Sequence, residues 1–332
     1  MRKVVRALVG LVAFLILTAG LLLGWMMVFR PRIRPLTDRT FDTSLQRLAR
    51  GRYLVTTVAA CIRCHSPNAM RAPEAGTEGS GWVLPTPALN PLKHQIVAPN
   101  ITPDKETGIG LWSDDAIGRA IREGVDRDGR SFGYAMPCAE YRKMSEEDLA
   151  SVVVYLRSLA PIRRSLPTTK LIFPVQFLVR LVPEPLTAPV TPDQSSPQER
   201  GEYLVAMATC NGCHSPHDFA GHLIDGLDFS GGDVLRMAAD SPTAPNITPD
   251  ATGIQRLTAD SFRDLMRTGQ LAGRTLHPLM PYQQYAGLTD TDLSDMYAFL
   301  SSVKPVKHFV DGSQPPTLCR VCKNQHGGGS RN

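Results

Sequence analysis

Residues 1–34 contain no acidic side chain, and residues 35–332 contain no basic surplus. The chain of 332 residues has a formal net charge of +5, from 36 Lys and Arg against 31 Asp and Glu. Six of those basic residues (Arg2, Lys3, Arg6, Arg30, Arg32 and Arg34) lie in the first segment, leaving 30 basic against 31 acidic residues beyond it. A main body with net charge −1 has no general polyanion-binding character, so no nucleic-acid partner is expected. The chain is not poor in apolar residues either. At 42% hydrophobic and 20% charged it is excluded from the mainly disordered class. Convincing strand patterns are also missing, which points to an all-α fold, and the length suggests about two domains.

Charge is absent from Ala7 to Phe29 as well, a run dominated by Leu, Val, Phe, Ile, Met and Ala. At about 1.5 Å per residue it is long enough to span a bilayer core of about 30 Å. Arg2, Lys3 and Arg6 precede it, as the positive-inside rule expects for an N-in start. A cleaved signal would have a shorter apolar region, of about 7–15 residues. Thr18-Ala19-Gly20 could be cut, but a second apolar stretch, Leu21–Phe29, follows it. Residues 1–34 are therefore expected to be an N-terminal membrane anchor or uncleaved signal. Either reading exports the main body.

Four of the seven cysteines fall in two copies of one pattern, Cys61-Ile62-Arg63-Cys64-His65 and Cys210-Asn211-Gly212-Cys213-His214. C-x-x-C-H is the attachment motif of c-type haem: two thiols meet the two vinyl groups of one porphyrin, and the following His lies under the iron. A thioredoxin-like redox pair would need a βαβ context, which is missing. A zinc site built on these motifs would need closing Cys or His pairs, and none stands at a repeated position. Two covalently bound haem c groups are expected.

The two motifs belong to a duplicated unit. Gly51-Arg52-Tyr53-Leu54-Val55 leads into the first and Gly201-Glu202-Tyr203-Leu204-Val205 into the second. Ala98-Pro99-Asn100-Ile101-Thr102-Pro103-Asp104 recurs identically as Ala244-Pro245-Asn246-Ile247-Thr248-Pro249-Asp250, Met136-Pro137 recurs as Met280-Pro281, and Tyr141 as Tyr285. Each copy reads as helix, haem motif, long Pro/Gly loop, helix, Met loop, helix. Ser113 and Thr258 can cap matching helices that end at Gly124 and Gly269. Ser145 can start a last helix whose apolar stripe is Leu149, Val152, Val153, Leu156 and Leu159, matched by Leu293, Met296, Tyr297, Leu300 and Val303. Residues 44–160 and 200–310 are thus the expected domains. A Pro-rich linker, 161–199, would join them, its apolar stretch Leu171–Val182 packing between the two, and residues 311–332 would form a flexible tail.

His65 and His214 supply one axial position each. For the other, Met136 and Met280 occupy matching loop positions, each stiffened by a following Pro, and a thioether is a soft ligand suited to haem iron. His277 has no counterpart in the first copy and reads as a loop residue; His94, His217, His222, His308 and His326 read as surface residues. Met/His ligation closes the iron to small substrates, which favours a carrier over a catalyst. Cys138 reads as a small packed thiol, and Cys319 and Cys322 as a short-range disulfide of an oxidising compartment.

The Gly-x-Tyr-Leu lead, the Ala-Pro-Asn-Ile-Thr-Pro-Asp loop, the Met-Pro-x-x-x-x-Tyr stretch and the Ser/Thr-x-x-Asp-Leu helix start resemble class I cytochrome c domains. More narrowly, they resemble the membrane-bound cytochrome c subunits of bacterial alcohol, aldehyde and gluconate dehydrogenase complexes. The resemblance covers residues 45–310. It implies two tandem class I domains tethered to the bacterial inner membrane with the haems in the periplasm. It also implies a non-catalytic electron-transfer subunit that passes electrons from a dehydrogenase partner towards quinone or a terminal oxidase. Those subunits typically carry three haem domains, whereas this chain has two motifs. Three rivals remain at this level. A dihaem cytochrome c peroxidase would need distal asymmetry, a thiosulfate-oxidising enzyme would rest on Cys138, and a subunit of a haem-copper oxidase would differ in its partner. Residues 200–310, with 8 basic and 12 acidic residues, favour a cationic partner surface at the second domain.

Overall fold

The computed structural model describes all residues except 1, 29–32, 69–73, 85–94, 133–135, 172–183, 219–220 and 236–240. His94 and nearly all of the apolar stretch 171–182 lie outside the described residues. The first helix, α1 (Arg2–Val28), is the one described helix long and apolar enough to cross a membrane, and its spanning window is wholly unburied.

After α1 the chain is strapped along the first copy by its own charges. Arg34 holds Asp115 through two guanidinium nitrogens at 2.7 and 2.8 Å and Glu123 through Nε at 2.7 Å. The Thr37 and Phe41 amides donate to Asp115 and Asp114, and Arg39 pairs with Glu146. One of the basic residues beside the anchor is therefore already neutralised. Burial alone would raise the Asp115 carboxyl, but Arg34 and the Thr37 amide hold it below its usual range. Burial acts the same way on Glu146, which Arg122, Arg39 and the Val190 amide pull down. Carboxyls depressed in the folded state add stability above about pH 4 that is lost as pH falls through the folded values. Protease cleavage within residues 35–44 is expected to rise on acidification to about pH 3. In Arg34→Ala it should be high already at neutral pH. Equal cleavage of both proteins at all pH values would refute the strap.

The first copy runs through α2 (Leu45–Tyr53), a π-helical turn (Leu54–Val58), α3 (Cys61–Cys64), α4 (Asp114–Glu123), α5 (Cys138–Tyr141) and α6 (Glu146–Ser158). The second repeats this order as α7 (Pro197–Met207), α8 (Cys210–His214), α9 (Ala259–Thr268), α10 (Tyr282–Tyr285) and α11 (Asp290–Leu300). The expected caps are present. The Ser113, Ser145 and Thr258 side chains accept the amides of Ala116, Asp148 and Ser261. Gly124 and Gly269 close their helices with φ of 66° each. In each copy the first helix crosses the last at a glycine. A Cβ on Gly51 would sit 1.9 Å from the Ser151 carbonyl oxygen, and one on Gly201 1.9 Å from that of Asp295. No larger residue permits that approach.

The chain is helical at its core but not purely so. Among the described residues three two-stranded antiparallel sheets occur: β1 (Trp82–Val83) with β2 (Val97–Ala98), β3 (Gln270–Leu271) with β4 (Arg274–Thr275), and β5 (Pro316–Leu318) with β6 (Gln325–Gly327). Strands of two or three residues are too short to imprint an alternating pattern on the sequence.

The last pair corrects the reading of the tail. Residues 311–332 form a hairpin in register Thr317↔His326, followed by a 3-10 turn (Gly329–Arg331). Cys319 and Cys322 are buried free thiols rather than a disulfide. His308 and His326, expected at the surface, are each 1% exposed. The hairpin is ordered because its backbone pairs internally and because Asn324 donates to the His217 carbonyl at 2.8 Å.

One buried apolar cluster runs through both copies, from Leu54, Val58 and Val153 to Leu204, Met207 and Met296. A pair of reciprocal hydrogen bonds joins them. The Tyr203 hydroxyl donates to Asp148 at 2.7 Å and accepts the Ser145 amide at 3.2 Å. The Tyr53 hydroxyl does the same with Asp292 and the Thr289 amide. The tyrosine of each Gly-x-Tyr-Leu lead thus closes on the last-helix start of the other copy.

Candidate haem sites

Each Cys-x-x-Cys helix is preceded by a residue that is not glycine yet has positive φ, Ala60 at 47° and Thr209 at 55°. Such backbone persists only where its surroundings over-determine it. Here a tyrosine from the Met loop supplies part of the constraint: the Tyr141 hydroxyl donates to the Ala59 carbonyl at 3.3 Å, and that of Tyr285 to the Ala208 carbonyl at 2.9 Å. The two tyrosines, visible in the sequence only as a matched pair, lock the turn that aims the thiols.

The histidines are held by the repeated heptapeptide. His65 Nδ1 donates to the Pro99 carbonyl at 2.7 Å and His214 Nδ1 to the Pro245 carbonyl at 2.8 Å. A proton fixed on Nδ1 leaves the Nε2 lone pair as the free ligand atom. Burial lowers the pKa of both rings against the opposing effect of the carbonyl, so the neutral form that binds a metal is favoured. The next residue organises the loop. Asn100 Oδ1 accepts the Thr102 amide and hydroxyl, and its Nδ2 donates to Thr107 and to the Ile162 carbonyl. Asn246 makes the same set with Thr248, Thr252 and the Val306 carbonyl. This explains why the heptapeptide recurs unchanged.

Cys61, Cys64, His65, Met136, Cys210, Cys213, His214 and Met280 all line one continuous cavity of about 2000 Å³. That is twice the ~1,000 Å³ upper end of a single small-molecule pocket. Burial pushes the Cys61 and Cys210 thiols up to about 12 and Cys213 up to about 11, so none is poised as a thiolate nucleophile. Arg63, between the first pair of thiols, donates to the Pro278 and Leu279 carbonyls at 2.6 and 2.9 Å, bracing the loop that carries Met280. His277 stays within that loop, its Nδ1 accepting the Leu279 amide at 3.1 Å. Cys138 is buried, its thiol pushed up to about 12 and donating weakly to the Ala120 carbonyl at 3.7 Å. It does not line the cavity.

The donor set fits covalently held haem. Paired thiols, a neutral imidazole with Nε2 free and a thioether meet around an apolar space, and the charged side chains lining it are five basic (Arg63, Arg130, Arg164, Lys170, Arg256) and one acidic (Glu106). A cationic bias suits the propionates of a porphyrin. Chemistry of this kind defines a c-type cytochrome, with haem iron held by thioether-linked porphyrin.

Residues 48–160 match the cytochrome c family, and this stretch is a cytochrome c domain. The chain is 29% identical over 299 residues to a nicotinate dehydrogenase subunit of Pseudomonas putida, covering 85% of this chain and 24% of that protein. It is 28% identical over 285 residues to the fructose dehydrogenase cytochrome subunit of Gluconobacter japonicus, covering 82% of this chain and 56% of that subunit. It is 31% identical over 235 residues to the gluconate 2-dehydrogenase cytochrome c subunit of Pantoea cypripedii, with 67% and 51% covered. The chain therefore spans from a quarter to a little over half of the length of these relatives.

Proposed function

We propose that the chain is a membrane-tethered dihaem electron carrier built from two tandem class I cytochrome c domains. Cys61 and Cys64 hold one haem c and Cys210 and Cys213 the other. His65 and His214 are the proximal ligands, and Met136 and Met280 the distal ones. When bound, haem c supplies a one-electron couple whose potential follows its axial ligands and surroundings. The chain does the positioning: the Pro99 and Pro245 carbonyls orient the imidazoles, Tyr141 and Tyr285 lock the thiol turns, and the apolar lining keeps water from the iron. The observation that carries this reading is that both complete ligand sets line one cavity, a short path for an electron between the two sites.

The relatives that are dehydrogenase subunits favour a dehydrogenase as donor, with quinone or a terminal oxidase as acceptor. The apolar helix α1 favours the inner membrane with the cytochrome domains in the periplasm. Matching distal loops weigh against a peroxidase, which needs one site that opens. Haem quantitation and a spectroscopic redox titration of the detergent-solubilised chain should give two haems per chain, both low-spin. One haem, or a resting high-spin site that accepts ligands, would overturn the assignment. Purification from membranes should bring a dehydrogenase with the chain; an oxidase would move it to a haem-copper complex.

A further inference from the structure

We propose that His308, Cys319, Cys322 and His326 bind one Zn²⁺ ion that pins the C-terminal hairpin to the second haem-bearing copy. One ligand atom from each of these four residues lies within 4.8 Å of all the others, and every one of the four residues is 1% exposed. His308 Nδ1 donates to the Ser230 carbonyl at 3.0 Å and His326 Nδ1 to the Gly327 carbonyl at 2.9 Å. Carbonyls accept only, so both Nδ1 atoms carry the proton and both Nε2 atoms present lone pairs. Those two lone pairs face each other at 3.0 Å, and His308 Nε2 lies 3.3 Å from Cys319 Sγ. Two acceptors at that distance repel, whereas a cation between them turns the contact into coordination. A tetrahedral zinc with Zn–N of about 2.0–2.1 Å and Zn–S of about 2.3 Å has ligand–ligand edges of about 3.3–3.8 Å. The two spacings at His308 Nε2, 3.0 and 3.3 Å, fall just below and at the short end of that range, and all four ligand atoms stay within 4.8 Å of one another.

The hairpin turn also suits a thiolate. The Val321 amide donates to Cys319 Sγ at 3.3 Å, and the turn closes through the Lys323 amide on the Cys319 carbonyl at 3.1 Å, with Lys323 at φ 62°. On binding, two S–H bonds give way to two Zn–S bonds, the two protons leave to solvent, and no electron moves. The product of Zn²⁺ and two thiolates is uncharged, as a buried site requires. The seat lies behind the second haem motif. Ser230 and Gly231 precede Gly232, where a Cβ would lie 2.6 Å from His308 Cε1. Gly231 donates its amide to the His214 carbonyl just as Gly81 does to that of His65. The first copy places Trp82 where the second has Gly232, the glycine against which His308 packs.

Metal analysis of the full-length haem-loaded chain in detergent is expected to find one zinc per chain. After denaturation with a chelator three thiols should react, those of Cys138, Cys319 and Cys322. In a Cys319→Ser/Cys322→Ser variant zinc should fall about tenfold or more and residues 311–332 should become protease-sensitive, while the haem count stays as in the parent. A parent chain with a single reactive thiol (a disulfide), with iron or no metal at this site, or a variant that keeps its zinc would overturn the proposal. The thiol count needs no variant, and the haem count reports separately on the electron-carrier reading.

Discussion

Replacing Gly201 by alanine is expected to lower the melting temperature by about 6–12 °C, the shift that about 3 kcal/mol produces in a cooperative unit larger than about 150 residues, here the two copies joined by one buried cluster. Overpacking of well-filled cores costs about 1–3 kcal/mol, and more where the obstacle cannot turn aside. Here the obstacle is backbone. The new Cβ would sit 1.9 Å from the Asp295 carbonyl oxygen, 2.6 Å from its carbon and 2.9 Å from the Phe299 Cβ. Relief requires α7 and α11 to move apart, which opens the contact among Leu204, Met296 and Leu300. It also moves the start of α8 and its thiols. Gly51→Ala, with its Cβ 1.9 Å from the Ser151 carbonyl oxygen and 2.6 Å from the Tyr155 Cβ, should act alike on the first copy. Alanine at Gly212 meets nothing within 4 Å and serves as the control. Calorimetry or thermal circular dichroism decides the matter: equal melting temperatures for Gly201→Ala and Gly212→Ala would rule out the crossing as the constraint.

These glycines could be read in the sequence, as the first letter of both Gly-x-Tyr-Leu leads, but their reason could not, because the partner carbonyls lie far along the chain in the last helix. The tyrosines of the same leads show the same limit. Tyr53 and Tyr203 match in sequence, yet each reaches into the other copy, and only the assembled structure shows that the clasp is reciprocal. What was legible was local: caps at Ser113, Ser145 and Thr258, apolar stripes of period 3.6, and Cys-x-x-Cys-His, whose chemistry needs its residues as neighbours in sequence. The tail failed for the opposite reason. A Cys-x-x-Cys pair without a following His has several uses, and the His residues that complete this one stand at 308 and 326, on either side of it. Histidines flanking a thiol pair were a signal, but one that only the hairpin register Thr317↔His326 gives meaning.

Asn246→Ala is expected to cost about 3–5 kcal/mol, because several buried groups lose their partners at about 1–3 kcal/mol each. Asn246 is 4% exposed and serves both halves of its surroundings. Its carbonyl holds the Thr248 amide and hydroxyl at 2.8 Å each, while its amide holds Thr252 at 3.0 Å and the Val306 carbonyl at 2.8 Å. Its amide also donates to the His308 carbonyl at 3.3 Å, so alanine removes five bonds. The consequence that separates a positioning role from a structural one lies one residue earlier. Pro245 presents the carbonyl that fixes His214 Nδ1, and outer partners of this kind set ring orientation and ligand basicity. On the dihaem reading, a loop released at Asn246 should therefore shift the potential of the haem at His214 and leave the one at His65 unmoved. Asn100→Ala should do the reverse through Pro99 and His65. A spectroscopic redox titration resolves two waves in the parent chain on the dihaem reading. Displacement of a single wave in each variant, different between the two, is the expected result. Two variants that lose stability with both waves in place would reduce the asparagines to packing residues and detach the heptapeptide from the redox chemistry.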